Sequence, residues 1–332
     1  MGQGNMQDVA IIINQVVALM LLTIVGYIAR KSGFLQNGAD TVLSKVAIRI
    51  TAPSLILATM TSYDFDSKTL SDGLWVGFLA VVFMFFSLLA GMLFSRLMKL
   101  EGASANVFKA HAMFGNVGYL ALPLFKSVLG ERAVVVAVFF VLAFEILVWT
   151  LGVYILSKHI GLSLTDSLKK FLSPNTVACL LGLLFALTNL HHVIQGNSTA
   201  AAVYKMLYSA LNPLGNCTLP LVMLFVGISV ADNPAGSFLA IVKKPVTLVL
   251  SALRLLLIPL AALGILLLFG DRIDPFVRTI VILDLAMPCA AMIVALSAQY
   301  GSDSRQATDN VIYTTILSLF TLPAFMFLLH YL

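Results

Sequence analysis

Two apolar segments of this chain are each interrupted by a proline, and they lie at matching places in its two halves. The first runs Phe114-Gly115-Asn116-Val117-Gly118-Tyr119-Leu120-Ala121-Leu122-Pro123, and the second Leu283-Asp284-Leu285-Ala286-Met287-Pro288-Cys289. Pro123 and Pro288 are 165 residues apart. A second pair, Pro53 in Ile50-Thr51-Ala52-Pro53 and Pro220 in Asn216-Cys217-Thr218-Leu219-Pro220, is 167 apart. A proline inside a helix removes one backbone donor and crowds the preceding turn. In lipid the freed carbonyls need partners, so broken backbone is tolerated only where protein buries it or it lines a wet cavity. A lone proline more often merely kinks a membrane helix. Prolines matched between halves predict two unwound stretches that meet, as in a secondary transporter with a midplane site.

Composition decides the solvent. Sixty percent of residues are hydrophobic, 11% are charged and the mean hydropathy is +1.00, whereas a soluble domain is roughly a quarter charged. A spanning helix takes about 20 apolar residues. The pattern predicts ten, over 9–29, 40–60, 74–97, 106–127, 132–157, 174–190, 203–230, 245–269, 276–299 and 309–330. The expected fold is an all-α polytopic membrane protein with 10 transmembrane helices in an inverted 5+5 repeat, helices 4 and 9 being broken and crossed. Residues 1–158 form the first repeat, 159–173 a cytoplasmic connector and 174–332 the second repeat. With five helices per repeat, equivalent helices enter from opposite faces. Placing both termini outside assigns 13 basic residues, among them Arg30, Lys31, Arg96, Lys169, Lys170 and Lys244, to the cytoplasm. Six stay outside: Lys68, Lys126, Arg132, Lys205, Arg272 and Arg278. That bias fits the positive-inside rule, and the expected location is the inner (plasma) membrane. The first eight residues lack a basic region, so no cleaved signal peptide is expected.

The short loops leave no room for a soluble catalytic domain, and there is no H-E-x-x-H, G-x-S-x-G or Walker sequence. An enzyme is not expected. No metal spacing joins Cys179, Cys217 and Cys289, no basic–aromatic motif suggests nucleic acid, and no cofactor is implied. Coupling to H+ or Na+ is left open.

The residues around the breaks carry the candidate chemistry. Asn116 and Gly118 precede Pro123, and half-helix N-termini there and at Pro288 are expected to offer unpaired N–H groups to an anion. Ionisable residues inside a span are costly, roughly 2.5–3.5 kcal/mol at its centre, and mark function by default. Three qualify: Asp284, Glu145 and Arg254. Arg254 either pairs with one of the acids or adds to the positive field for substrate, and Asp284 or Glu145 is the candidate coupling group. Asn212 and Asn216 share a helical face, as do Asn310 and Thr314 with Ser318; such stripes hold helices together or line a wet path. His111, beginning the fourth helix, reads as a cation reaching the cytoplasmic surface.

The string from Phe114 to Leu124 resembles the fourth-helix signature of the auxin efflux carrier family, in its bacterial branch. Similar pieces are Ala47-Ile48-Arg49-Ile50-Thr51-Ala52-Pro53, Ser173-Pro174-Asn175-Thr176, Leu285-Ala286-Met287-Pro288 and the stretch from Thr314 to Pro323, so the resemblance covers essentially the whole chain. It implies a fold like that of the bile-acid symporters and sodium–proton antiporters. Helices 1, 2, 6 and 7 would form a scaffold, and helices 3–5 and 8–10 a moving transport domain. It further implies organic-anion substrates, auxin in plants and malate or malonate in bacteria, with the crossover at Asn116, Pro123 and Pro288. The plant carriers place an asparagine beside the crossover proline. Here Leu122 and Leu124 flank Pro123 and Cys289 follows Pro288, which argues against auxin. The reading is a permease for a small organic anion, with a sodium-coupled symporter or a non-transporting anion sensor as alternatives. A homodimer through the scaffold helices is left open.

Overall fold

The computed structural model describes residues 2–157, 173–188, 190–232 and 244–332. The connector predicted over 159–173 lies outside the described residues except for Ser173, as do Lys158, Lys169, Lys170 and Lys243. Every described element is helical. They are α1 (Gly2–Lys31), α2 (Ala39–Ser62), α3 (Ser67–Leu97), α4 (Gly102–Met113), α5 (Val117–Leu129), α6 (Glu131–Ser157) and α7 (Pro174–Leu187). There follow α8 (Leu190–Gln195), α9 (Ser198–Asp232), α10 (Pro245–Leu268), α11 (Pro275–Leu285), α12 (Ala291–Gln299) and α13 (Ser304–His330). Among the described residues, α2, α3, α6, α9, α10 and α13 are long and apolar enough to cross a membrane; α5 and α7 are shorter apolar helices.

Several of the prolines sit within helices that continue through them, and Pro174, Pro245 and Pro275 begin helices. Single wide turns with π-type bonding occur at Ala47–Thr51, Val117–Ala121, Val148–Gly152 and Leu253–Leu257. Three of them end two residues before a proline, at Pro53, Pro123 and Pro259. A widened turn relieves the clash of the ring with the carbonyl behind it and absorbs the missing donor. The break expected at Pro53 is therefore absent, and α2 runs through it. Near Pro220 the chain only makes a one-residue turn at Cys217 within α9. Pro123 sits in the second position of the helical stretch after the wide turn, so the opening lies upstream, at Phe114–Asn116. Among the described prolines, only at Pro288 does the opened backbone include the proline itself. Of the two matched pairs, one opens.

Packing sorts the helices into neighbours. α1 lies along the second part of α9, where Gly26 and Gly227 let the backbones touch. A methyl group on Gly227 would overlap the carbonyl of Thr23, and one on Gly26 that of Leu224. α2 packs on α7 and α9. α3 packs on α4, α6 and α11, while α13 packs on α10 and α12. Polar contacts gather at the helix ends. At one end Lys68 pairs with Asp274 at 2.6 Å, Arg132 pairs with Asp72, and Asp66 caps α3 through the Thr69 N–H at 2.7 Å. At the other, Arg30 pairs with Asp232, Lys244 with Asp309 at 2.6 Å, and the Ser302 hydroxyl donates to the Ala103 carbonyl. Each contact joins segments that the charge pattern assigns to one side.

Candidate functional site

α4 stops at Met113 because Phe114 turns extended (φ −105°, ψ 112°), and α5 restarts at Val117. In the second half α11 stops at Leu285, and Ala290, extended at φ −69°, ψ 124°, leads into α12. The two opened stretches meet. Gly115 and Cys289 form an antiparallel bridge in which the Asn116 N–H donates to the Pro288 carbonyl at 2.8 Å and the Ala290 N–H to the Phe114 carbonyl at 3.1 Å. The Cys289 N–H donates to Thr314 Oγ1 at 3.0 Å. These donors are thereby spent on the protein. The expectation that the N–H groups at the breaks stand free for an anion is corrected for Asn116, Cys289 and Ala290.

Arg254, in the wide turn of α10, is 1% exposed. Its Nε donates to the Met287 carbonyl at 3.1 Å, and its Nη1 to the carbonyls of Ala112 and Met113 at 3.1 and 3.4 Å. Ala112 and Met113 end α4, whose last carbonyls lack intrahelical partners, and Met287 lies in the opened stretch after α11; a delocalised cation suits all three. Gly115 makes the fit, since a methyl group there would fall on the guanidinium. No ion pair joins Arg254 to Glu145 or Asp284, so the pairing expected as one alternative does not occur.

Beside this brace lies a buried polar chain. Thr247 Oγ1 donates to Asn310 Oδ1 at 3.0 Å, which turns the Asn310 Nδ2 toward His111 Nδ1 at 3.2 Å. His111 Nδ1 therefore accepts, and Nε2–H faces the Ala290 carbonyl at 3.4 Å. This network assigns a neutral imidazole. His111 is fully buried, which corrects its reading as a cation reaching the surface. Asn310 and Thr314 hold α4, α10 and the second break to α13.

The acids differ. Asp284 is fully buried and neither carboxylate oxygen has a hydrogen-bond partner; the Arg254 charge reaches it only across a gap longer than an ion pair. Glu145, 2% exposed, accepts from the Trp149 indole at 3.0 Å and faces the hydroxyls of Thr176 and Ser173 at the start of α7. The two acids do not form one cluster.

Asn116 keeps its side-chain amide out of any hydrogen bond and only partly buried at the start of α5. Next to it the Asn175 amide nitrogen is 3.6 Å from where a methyl group on Gly118 would sit, and Asn175 Oδ1, 2% exposed, has no partner. Asn175 was readable as a polar residue directly after Pro174, but sequence gave it no role; His111 and Thr247 were missed because only the fold brings them to the break. Around α5 are two hollows. Leu120, Leu124 and Val128, one stripe at four-residue spacing, face a narrow apolar crevice with Leu19, Met223, Thr315, Ser318 and Leu322. Pro123, Lys126 and Ser127 face a cavity of about 280 Å³ shared with α2 and α9. Asn216 lines that cavity, and Asn212 touches it through Lys126.

A family model of membrane transport proteins matches residues 11–326. The chain belongs to this family, that of the auxin efflux carriers. An uncharacterized transporter of Methanothermobacter thermautotrophicus is 27% identical over 310 residues, 93% of this chain and 95% of that protein. An uncharacterized transporter of Methanocaldococcus jannaschii is 25% identical over 315 residues, 92% and 94% of the two chains. The PIN-LIKES 2 protein of Arabidopsis thaliana is 27% identical over 165 residues, 48% of this chain and 35% of that protein. The family and these relatives make the chain a membrane-embedded transporter in contact with lipid and a transported solute.

Proposed function

We propose that the chain is a secondary carrier of a small organic anion, built as ten transmembrane helices in two inverted five-helix repeats and working by elevator-like alternating access. The observation that carries this reading is the antiparallel contact between one opened stretch from each half, Gly115 with Cys289. α1 packs on α9, α9 on α2 and α2 on α7, which supports a scaffold of helices 1, 2, 6 and 7. The moving part is the remainder, braced by Arg254. Recognition falls to the Asn116 and Asn175 amides and to the backbone past Gly118, where the start of α5 favours negative charge. Asp284, buried without a partner, is the coupling group, and both termini face the outside of the plasma membrane.

The test is charge movement in proteoliposomes challenged with malate, malonate, simple monocarboxylates and indole-3-acetate. Saturating currents with one acid, sensitive to pH but not to sodium and lost in Asn116→Ala, are expected. Sodium-dependent currents would turn the reading to a sodium symporter. Binding of an acid without any flux would replace the carrier by a sensor.

A further inference from the structure

We propose that the cavity bounded by α2, α5 and the turn in α9 is a waiting site for a small monocarboxylate with an apolar body, and that Lys126 is its cation. Its anion class rests on the carrier reading above. The volume, about 280 Å³, far exceeds what one ordered water needs. Leu55, Pro123 and Leu219 supply apolar walls, while Lys126, Ser127 and Asn216 supply the polar atoms.

Lys126 is the group that can act. Its side chain is 19% exposed, and an ammonium carries three donors. One is directed at Asn212 Oδ1, 3.3 Å away. Glu131 forms a loose ion pair with it, Oε1 standing at 3.7 Å, beyond hydrogen-bond distance. With three donors and one hydrogen bond made, the ammonium has capacity for a further acceptor. The Ser127 hydroxyl donates to the Leu124 carbonyl at 2.8 Å, which leaves its oxygen lone pairs, not its proton, facing outward. Asn216 Nδ2 has only a 3.5 Å contact with Asn212 Oδ1, so it can turn to a second oxygen of a carboxylate. One cation and one amide suit one carboxylate, and the walls suit an apolar remainder. Lys126 is ten residues along the chain from Asn116, about 15 Å at 1.5 Å per residue, so the cavity is a separate station from the break.

The test needs no transport. Ser127→Cys is made in a Cys217→Ala background, where Cys179 and Cys289 are buried. The purified protein is then reacted with an anionic sulfonatoethyl and a cationic trimethylammonium-ethyl methanethiosulfonate. The anionic reagent should react faster. The anionic-to-cationic rate ratio should fall about tenfold with Lys126→Met and rise with Glu131→Gln, as expected for a unit charge several ångströms away. Benzoate should slow the modification when Lys126 is present and not when it is Met. A ratio indifferent to Lys126, or an unreactive Ser127→Cys under conditions in which Cys217 of the parent protein does react, would overturn the site. Failure of every acid to give current, with the rate ratio behaving as stated, would instead remove the carrier reading and leave the anion site standing.

Discussion

Gly115→Ala should destabilise the protein only while Arg254 is present. The new Cβ falls on the guanidinium, whose nitrogens are held by the Met287 and Ala112 carbonyls at 3.1 Å. Moving the guanidinium aside would give up those bonds, each worth about 1.5–3 kcal/mol for a charged donor. The cheaper response is a backbone shift at the bridge, with an overpacking cost of about 1–3 kcal/mol. In an Arg254→Met background the obstacle is a flexible thioether chain, and the same alanine should cost less than about 0.5 kcal/mol. The coupling energy of the double-mutant cycle is then about 1–3 kcal/mol, large for two residues unless they touch. Denaturation in mixed micelles, followed with a thiol-reactive dye, reads it directly. Cys289 lies at the bridge and is buried, and Cys217→Ala removes the background of the exposed thiol. Equal costs of Gly115→Ala in both backgrounds would refute the brace.

Asp284→Asn should fold about as stably as the parent, because the carboxyl makes no hydrogen bond that is lost; currents measured from pH 5 to 8 should lose their pH response, and a retained response would dismiss Asp284 as the coupling group. Asp274→Ala should cost about 1 kcal/mol in thermal or denaturant unfolding through loss of the cap on the Phe276 N–H. The hydrogen bond from Lys68 is the main reason that the Asp274 carboxyl is held below its usual value of 3.8. A lowered carboxylate stabilises above its unfolded value and loses that contribution as pH falls through the folded one. The difference between parent and Asp274→Ala should therefore be constant above about pH 5 and shrink only in stronger acid. Gly227→Val should push α1 off α9, visible as a drop of several degrees in melting temperature; an unchanged melt would mean that the close approach at Thr23 is not needed.

The matched prolines pointed to two opened segments, and residue spacing alone located both to within about two helix turns. What spacing could not give was which prolines open the chain. Pro53 and Pro259 are absorbed by widening a turn, a response that depends on whether neighbouring helices supply partners for the freed carbonyls. Pro288 stays open because Arg254 and Asn116 take the Met287 and Pro288 carbonyls. Arg254 was legible as a costly buried charge, and the prior for such a charge is an acid. Its true partners are three backbone carbonyls, which carry no signature in sequence. His111 was misread for the same reason: its position near a helix start suggested the surface, while Asn310, 199 residues away, holds it in the interior.

The polar contacts also say where relative motion is cheap. His111, Arg254, Asn310 and Thr314 tie α4, α10, α13 and both breaks into one body through buried hydrogen bonds whose loss would leave unpaired groups in a dry interior, a cost of about 1–3 kcal/mol each. Sliding within that body is therefore resisted. The surface that α5 and α13 turn toward α1 and α9 is different, because Leu120, Leu124 and Leu322 meet Leu19 and Met223 across a crevice without a hydrogen bond between them. Apolar faces can change register without breaking a directed bond. Lys126 with Asn212 links α5 to α9, and Glu145 facing Ser173 and Thr176 links α6 to α7. Each must be surrendered and remade if one body moves against the other. If the carrier moves as proposed, a carboxylate at Lys126 would compete with Asn212 for the ammonium and a proton on Glu145 would weaken the acceptor that Ser173 and Thr176 face, so these positions, rather than the tightly bonded bridge, are where a ligand would bias the movement.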